Sequence, residues 1–283
     1  MSKHMACLAI LTLLVLGGCS TLPRSPERVT ALETRADVTY QAGLRQYREG
    51  RFVQAALCFE QALAIAASVD DRPGTARALA SLGRARLALG EQDAAAAAFQ
   101  RSLDAAGGLA RPDLEAEALG GLAAVALSRR RPDDARAWLQ TGLALPLADP
   151  GPARAVLLHD LGMALIQSGR TADAEAQLRR ALAMHEALND PLGVAADCFS
   201  LAALRAEAGD LDEAADLARR ALSRDKAEEN PVGVAQDLDL LGALAARSWR
   251  GRRSNVRTRR PRPPRGSPSS SRSTSDPGTC PYR

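Results

Sequence analysis

The chain repeats itself with a period of about 40 residues, and this periodicity limits its possible folds more than any other feature. Four segments superimpose without gaps, a fifth is a weaker copy, and a sixth begins before the pattern stops. Equivalent positions begin at Ala36, Ala76, Ala116, Ala155, Ala195 and Ala235. Self-similarity at a fixed period of this length indicates one supersecondary unit that is stacked many times, so that neighbouring units bury each other's apolar faces.

The composition of each unit favours helices, and we call the stretches before and after its central glycine helix A and helix B. Aromatic residues make up only 3% of the chain, and its apolar content is chiefly Ala and Leu. These are strong helix formers, whereas sheets are enriched in β-branched and aromatic residues. In helix A of the fourth unit, Leu158, Leu161 and Leu165 recur at helical spacing. The units therefore predict an all-α protein.

Small residues mark the turn and the helix crossing of each unit. After helix A comes a glycine, which can adopt a left-handed backbone because it has no Cβ, at Gly50, Gly90, Gly169 and Gly209. The third unit departs from this pattern, with Arg130 where glycine is expected. In helix B a small side chain lets the two backbones approach, at Ala55, Ala95, Ala135, Ala174 and Ala214. Four residues later stand Phe59, Phe99, Leu139, Leu178 and Ala218. These positions predict a helix–turn–helix in every unit.

The pattern resembles the tetratricopeptide repeat (TPR) family, in the variant whose inter-repeat loop lengthens the period to about 40. The small helix A residue of that family corresponds to Gly43, Gly83, Ala123, Gly162, Ala202 and Gly242. The usual helix A tryptophan is absent here, and the tyrosine before the turn is mostly absent. The resemblance implies a right-handed α-solenoid over residues 35–247, with five full units and a sixth helix A that caps the fifth.

The resemblance also implies that helix A residues line a concave face on which extended or helical peptides lie. The groove candidates carried over are Tyr40, Leu44, Tyr47, Arg84, Leu87, His159, Met163, Ile166 and Phe199. Aromatic residues dominate binding hot spots, but Tyr47 and Phe199 fit equally well as residues packed between neighbouring helices. The family's clamp for carboxyl-terminal tails of chaperones needs Lys and Asn where this chain has residues such as Tyr40 and Leu44, so we do not expect that activity.

The first residues have the pattern of an export signal. An apolar segment of about eleven residues follows Lys3, which is too short to cross a bilayer permanently and is typical of a secretory signal peptide. Its end, Leu16-Gly17-Gly18-Cys19, resembles the lipobox of bacterial lipoproteins. The resemblance implies a signal peptide over 1–18, lipid on Cys19 and a tether over 19–34. An ordinary signal peptide with an incidental cysteine is the alternative.

Residues 248–283 lose the repeat pattern and carry ten Arg against one acid, Asp276. Without apolar periodicity, such a segment is expected to be disordered. Two interpretations are open. The segment is either a polybasic tail that attracts anionic lipids or other polyanions, or a sequence read out of frame, which the abrupt loss of register in mid-repeat favours. A helix A left without its helix B also predicts self-association through an exposed apolar face.

No nucleophile, metal-binding or phosphate-loop motif stands out, so we expect neither catalysis nor a cofactor or metal. The sequence predicts a lipid-anchored scaffold that binds another protein or peptide of the bacterial envelope and supports pilus, secretion or cell-wall machinery. A groove of mixed apolar and charged residues does not favour nucleic acid. Ser20 after the lipidated cysteine implies an outer-membrane, periplasm-facing location in a Gram-negative source. The alternative functions are polyanion or anionic-lipid binding through the basic tail, and an enzyme whose site the sequence does not reveal.

Overall fold

The structure is a computed structural model that describes residues 26–258 of the chain, with side chains described to residue 250. This part contains eleven α-helices and no strand. The helices are α1 (Pro26–Arg48), α2 (Phe52–Ser68), α3 (Arg72–Ala88), α4 (Gln92–Ala106), α5 (Pro112–Ser128), α6 (Pro132–Leu143), α7 (Pro152–Gln167), α8 (Thr171–Ala187), α9 (Pro191–Ala208), α10 (Leu211–Ala227) and α11 (Pro231–Thr258). The odd-numbered helices are the helices A and the even-numbered ones the helices B. The predicted signal peptide and Cys19 lie outside the described residues.

Consecutive helices pack side by side, and each helix A also packs against the next helix A. Turns of two or three residues join helix A to helix B within a unit, which makes the two helices neighbours that run in opposite directions. The predicted all-α repeat architecture is confirmed. In the described part, no helix has both the length and the apolar character that a membrane span requires.

The turn between the two helices adopts the left-handed backbone that the sequence predicts. Gly50, Gly90, Gly169 and Gly209 have φ angles of 73°, 81°, 73° and 95°. Arg130 takes the same conformation, with a φ of 56°, although it carries a Cβ. A left-handed backbone costs a non-glycine residue roughly 1–2 kcal/mol, so the third unit keeps the turn geometry at some expense of stability.

Small residues let helix A and helix B of a unit come close together. Ala55, Ala95, Ala135, Ala174 and Ala214 are all fully buried. Opposite them, a Cβ on Gly43 would lie 2.6 Å from Cε1 of Phe59, closer than real Cβ atoms come. The glycine of helix A thus makes the space that the large residue of helix B fills, as the predicted helix crossing requires.

The ends of the repeat region extend beyond the predicted limits. Helix α1 begins at Pro26, so the last nine residues of the predicted tether over 19–34 are helical. Proline is well suited to a first helical position, and Glu27 complements the helix dipole in the first turn. Helix α11 continues to Thr258, so the predicted disorder from 248 is wrong for 248–258. After Pro231 the chain has no helix-breaking proline before Pro261.

Helix α11 packs against α9 and α10, which places the sixth helix A where the resemblance implied a cap. Leu244 is buried in this interface with Ala202 and Ala218. On the other side of α11, Val232 and Leu238 are about half exposed.

Candidate functional site

A groove of about 680 Å³ opens between α1, α3, α5 and α7, and we call it the helix A groove. Apart from Phe99, every residue that lines it belongs to a helix A. Three of the sequence-predicted groove residues lie in it, namely Tyr47, Arg84 and Leu87. Its small residues are Ala88, Ala116, Gly120, Gly121, Ala124 and Ala153. The first four units therefore form one continuous concave surface of helix A side chains.

Glycines of α5 keep the groove open. A Cβ on Gly121 would meet the Phe99 ring at 2.1 Å, so that position is closed to any side chain. A Cβ on Gly120 would lie 3.5 Å from Leu157 and 3.6 Å from Oδ2 of Asp160, which are ordinary contacts. Gly120 therefore leaves free space beside the Asp160 carboxylate, a feature that the repeat pattern alone did not reveal.

A polar chain of hydrogen bonds fixes Arg84 between α3 and α5. Its guanidinium donates to Oε1 of Glu117 at 2.7 Å and to Oγ of Ser81 at 2.8 Å. The Ser81 hydroxyl also lies 3.0 Å from the hydroxyl of Tyr40 on α1. Both Arg84 and Glu117 are partly exposed to the groove. Because Glu117 already offsets the charge of Arg84, this pair adds a neutral polar element to the groove wall.

The other two acids that line the groove, Asp113 and Asp160, differ in their partners. The guanidinium of Arg111 donates two hydrogen bonds to the Asp113 carboxylate, at 2.9 and 2.6 Å, and this hydrogen bonding lowers the pKa of Asp113. Asp160 is half-buried and takes part in no hydrogen bond or ion pair of the described residues. Burial raises the pKa of Asp160 to about 6, with His159 opposing the rise and Asp197 adding to it. Asp160 is therefore the acid of the groove lining that takes part in no hydrogen bond or ion pair of the described residues, and His159 is the neighbour whose charge offsets its own.

The predicted aromatic anchors divide between the groove and the core. Tyr47 lines the groove, and its ring lies 5.2 Å from that of Phe52 in an edge-on contact. Tyr40 packs outside the groove lining, with its ring 5.6 Å from that of Phe59. Phe199 packs against the cluster of Val194, Cys198 and Ala221 and does not line the groove. The packing interpretation thus fits Phe199, whereas Tyr47 both packs and faces the groove.

The remaining predicted groove residues serve mostly in packing. Leu44 contacts the cluster around Phe59, and Leu87 contacts the cluster around Phe99 while also lining the groove. Ile166 packs against the cluster of Leu165, Leu178 and Leu201. Met163 is exposed, and its sulfur accepts a hydrogen bond from Ser200 at 3.5 Å. Their role as ligand contacts stays a prediction.

His159 binds a buried carboxylate that sequence reasoning did not identify. Its Nδ1 lies 2.7 Å from Oδ1 of Asp197, and Nδ1 of His185 lies 2.7 Å from Oδ2 of the same residue. Asp197 is fully buried and His185 nearly so, while Nε2 of His185 has no hydrogen-bond partner. Burial lowers the pKa of His159, but the bond to Asp197 and the charges of Asp160 and Asp197 outweigh it and raise the pKa. The arrangement ties α7, α8 and α9 together.

The same two repeat positions form a second polar pair one unit later. Forty residues after His185 and Asp197 stand Asp225 and Asp237, which are 5% and 1% exposed. Asn230 donates to Oδ1 of Asp225 at 2.9 Å, whereas Oδ2 of Asp237 has no hydrogen-bond partner. Burial, followed by the charge of Asp225 and a hydrogen bond with it, raises the pKa of Asp237 to about 7. Asp237 therefore keeps its proton to a higher pH than an ordinary aspartate does.

In the first two units these positions are apolar and fully buried. They hold Ala66 with Ala78, and Ala106 with Ala118. A polar residue at a repeat position that is alanine in the first two units is the signal by which these pairs could have been found in the sequence. Within residues 26–250, no group of three His, Cys, Asp or Glu residues has the arrangement of a metal site.

Comparison with known proteins agrees with this geometry. A tetratricopeptide repeat model matches residues 34–107 and 114–187, and a second model of the same description matches 159–231. A search of curated proteins gives no significant match.

Among solved structures, a thermophilic TPR protein of Thermus thermophilus is 25% identical over 75% of this chain and 97% of that chain, with a TM-score of 0.51. The pilF protein of Pseudomonas aeruginosa is 20% identical over 78% of this chain and 93% of that chain, with a TM-score of 0.50. A Rap protein complexed with Competence and Sporulation Factor is 16% identical over 73% of this chain, with a TM-score of 0.62, and this chain spans 61% of its length. The first family model alone covers more than half of the sequence, and this chain therefore belongs to the tetratricopeptide repeat family.

Proposed function

We propose that the protein is a scaffold that binds a segment of another protein in the helix A groove. The observation that carries this proposal is the groove itself, whose floor of small residues leaves about 680 Å³ open along four helices. Apolar side chains with a few placed polar groups are the usual composition of a binding cleft. The Rap protein complexed with Competence and Sporulation Factor shares the fold, and at this low identity the likeness concerns the fold alone.

The proposal is a binding function without catalysis. The two histidines of residues 26–250, His159 and His185, both lie within hydrogen-bond distance of Asp197. Asp160 faces the groove without a nucleophile or a second acid in hydrogen-bond contact. General acid–base or nucleophilic chemistry needs such paired groups, so the groove is better suited to recognition.

We further propose that the scaffold works at the bacterial envelope, held to a membrane by lipid on Cys19. The support is the sequence Leu16-Gly17-Gly18-Cys19 after a short apolar segment. In a Gram-negative source, Ser20 favours the periplasmic face of the outer membrane. A scaffold placed there would hold a component of a pilus, secretion or cell-wall assembly. Binding of polyanions through the arginines of 248–283 is the alternative that the charge of that segment favours.

A groove-filling substitution tests the binding proposal. Peptides selected from a displayed random library on the purified full chain are expected to bind the parent protein and to lose binding to Ala88→Trp. Ala88 is exposed and lines the groove, so the indole fills the site without entering the core. The matched control is Ala183→Trp on helix B α8, where the alanine is also exposed and does not line the groove. Equal binding to the parent and to Ala88→Trp would contradict the proposal.

A further inference from the structure

The geometry points to a specific ligand chemistry: we propose that the helix A groove recognises a peptide segment that presents a lysine or arginine side chain to Asp160. This inference rests on the proposed function of the groove and adds the charge of its ligand. It follows from the charges that line the groove, from the space beside the carboxylate, and from the apolar residues around it.

The charges of the groove leave one carboxylate for a ligand. Arg84 pairs with Glu117 at 2.7 Å, and Asp113 pairs with Arg111 at 2.6 Å. Asp160 forms no ion pair with an arginine or lysine of the described residues, and its burial already disfavours the charged form. A half-buried carboxylate without a hydrogen-bond donor loses hydration without compensation. A ligand cation supplies the missing partner, whereas a ligand anion meets repulsion from Asp160.

Space and surroundings at Asp160 suit a long basic side chain. Gly120 lies beside the carboxylate and has no side chain to cover it; a Cβ there would lie 3.6 Å from Oδ2, in ordinary contact. One turn earlier on α7, Val156 is about half exposed and lines the same groove. Lysine and arginine bury their aliphatic stems along apolar surface while the charged end reaches a partner. The stem would lie against Val156, with the charged end at Asp160.

The apolar lining also strengthens the pairing. Ala116, Ala124 and Leu157 line the same groove as Asp160, and a bound peptide would exclude water from them. An ion pair that is shielded from solvent couples more strongly than one on an open surface. Arg84 is the only cationic residue among the described residues that line the groove. Its guanidinium already donates hydrogen bonds to Glu117 and Ser81, so it is not free to bind a ligand carboxylate. The groove thus discriminates in favour of a basic residue and against acidic peptides and nucleic acid.

The test is a double-mutant cycle on peptides selected with the full-length protein. Peptides that bind the parent protein but not the Ala88→Trp variant occupy the groove. These peptides are expected to share a lysine or arginine at one position. Replacing that basic residue by glutamine is expected to weaken binding to the parent protein about tenfold. The same replacement should change binding to Asp160→Asn little, because the partner is gone. Glu115→Gln, on α5 but outside the groove lining, is the matched control and should behave like the parent.

Each outcome decides the inference. If groove-bound peptides lack a shared basic residue, or if its loss costs as much in Asp160→Asn as in the parent, the charge inference is wrong while the groove function stands. If no peptide is selected, or Ala88→Trp binds as the parent does, the groove function fails and the inference fails with it. The peptide substitution is measured on the unaltered protein, so the inference remains testable even if Asp160→Asn folds poorly.

Discussion

The carboxyl pair between α10 and α11 makes the attachment of the last helix dependent on pH. The pKa of Asp237 rises from an ordinary 3.8 to about 7 in the folded protein. Between these values the folded form keeps a proton that the unfolded form has lost, so stability falls as pH rises and levels off above about 7. A shift of that size corresponds to about 4 kcal/mol in all, at about 1.4 kcal/mol per pH unit.

The substitution Asp237→Asn removes this dependence because an amide does not ionise. Helix α11 is the last unit of a linear array, in which each repeat contacts only its neighbours, so it is expected to open locally. Hydrogen exchange of α11 amides, corrected for the intrinsic rate at each pH, measures that opening. Between pH 5 and pH 8 the opening equilibrium of the parent protein should increase about a hundredfold relative to Asp237→Asn.

Asp239→Asn is the matched control, since Asp239 is exposed on the same helix two residues further on. It should retain the pH dependence of the parent. Equal pH dependence in Asp237→Asn and the parent would refute the reasoning, because it would mean that the pair with Asp225 does not hold a proton in the folded state.

Three further predictions concern the turn, the core and the membrane anchor. Arg130→Gly should raise the free energy of unfolding, measured in urea, by about 0.5–1 kcal/mol, because glycine adopts the left-handed backbone without strain. Gly90→Ala should lower the free energy of unfolding for the converse reason. If neither substitution changes it, the strain argument is contradicted. Phe59→Ala should lower the free energy of unfolding by about 3–5 kcal/mol, because the ring is buried against Gly43, and a loss below about 1 kcal/mol would count against this packing. Cys19→Ser should move the protein from the detergent phase to the aqueous phase in a Triton X-114 partition, and unchanged partitioning would rule out the lipid anchor.

The architecture was predictable because its determinants recur. A turn glycine, an alanine at the helix crossing and apolar spacing return every 40 residues, so each unit supports the interpretation of the others. Arg130, which departs from the glycine pattern, nevertheless adopts the same left-handed backbone as the turn glycines. Repetition reports on the fold in this way, but it cannot report on what differs from one unit to the next.

The features outside the repeat pattern were harder to predict. The early start of α1 and the length of α11 fall outside the repeat, where no period marks a boundary. Phe199 occupies a groove position in the family, yet it packs on Cys198 and Ala221.

The polar groups of the site and core were missed for a similar reason. Asp197 lies between two histidines that are distant in sequence, and Asp160 is distinctive only because its neighbours leave it unpaired. These are properties of side-chain environments, which the sequence of one unit does not contain.

The most direct test of the binding proposal is an experimentally determined structure of the full chain with a peptide selected on it. We expect the peptide in the helix A groove, between α3 and α7, with a lysine or arginine nitrogen within about 4 Å of the Asp160 carboxylate. A peptide bound on the helices B, or on the exposed side of α11, would contradict the central claim that the concave face of helix A residues is the binding site.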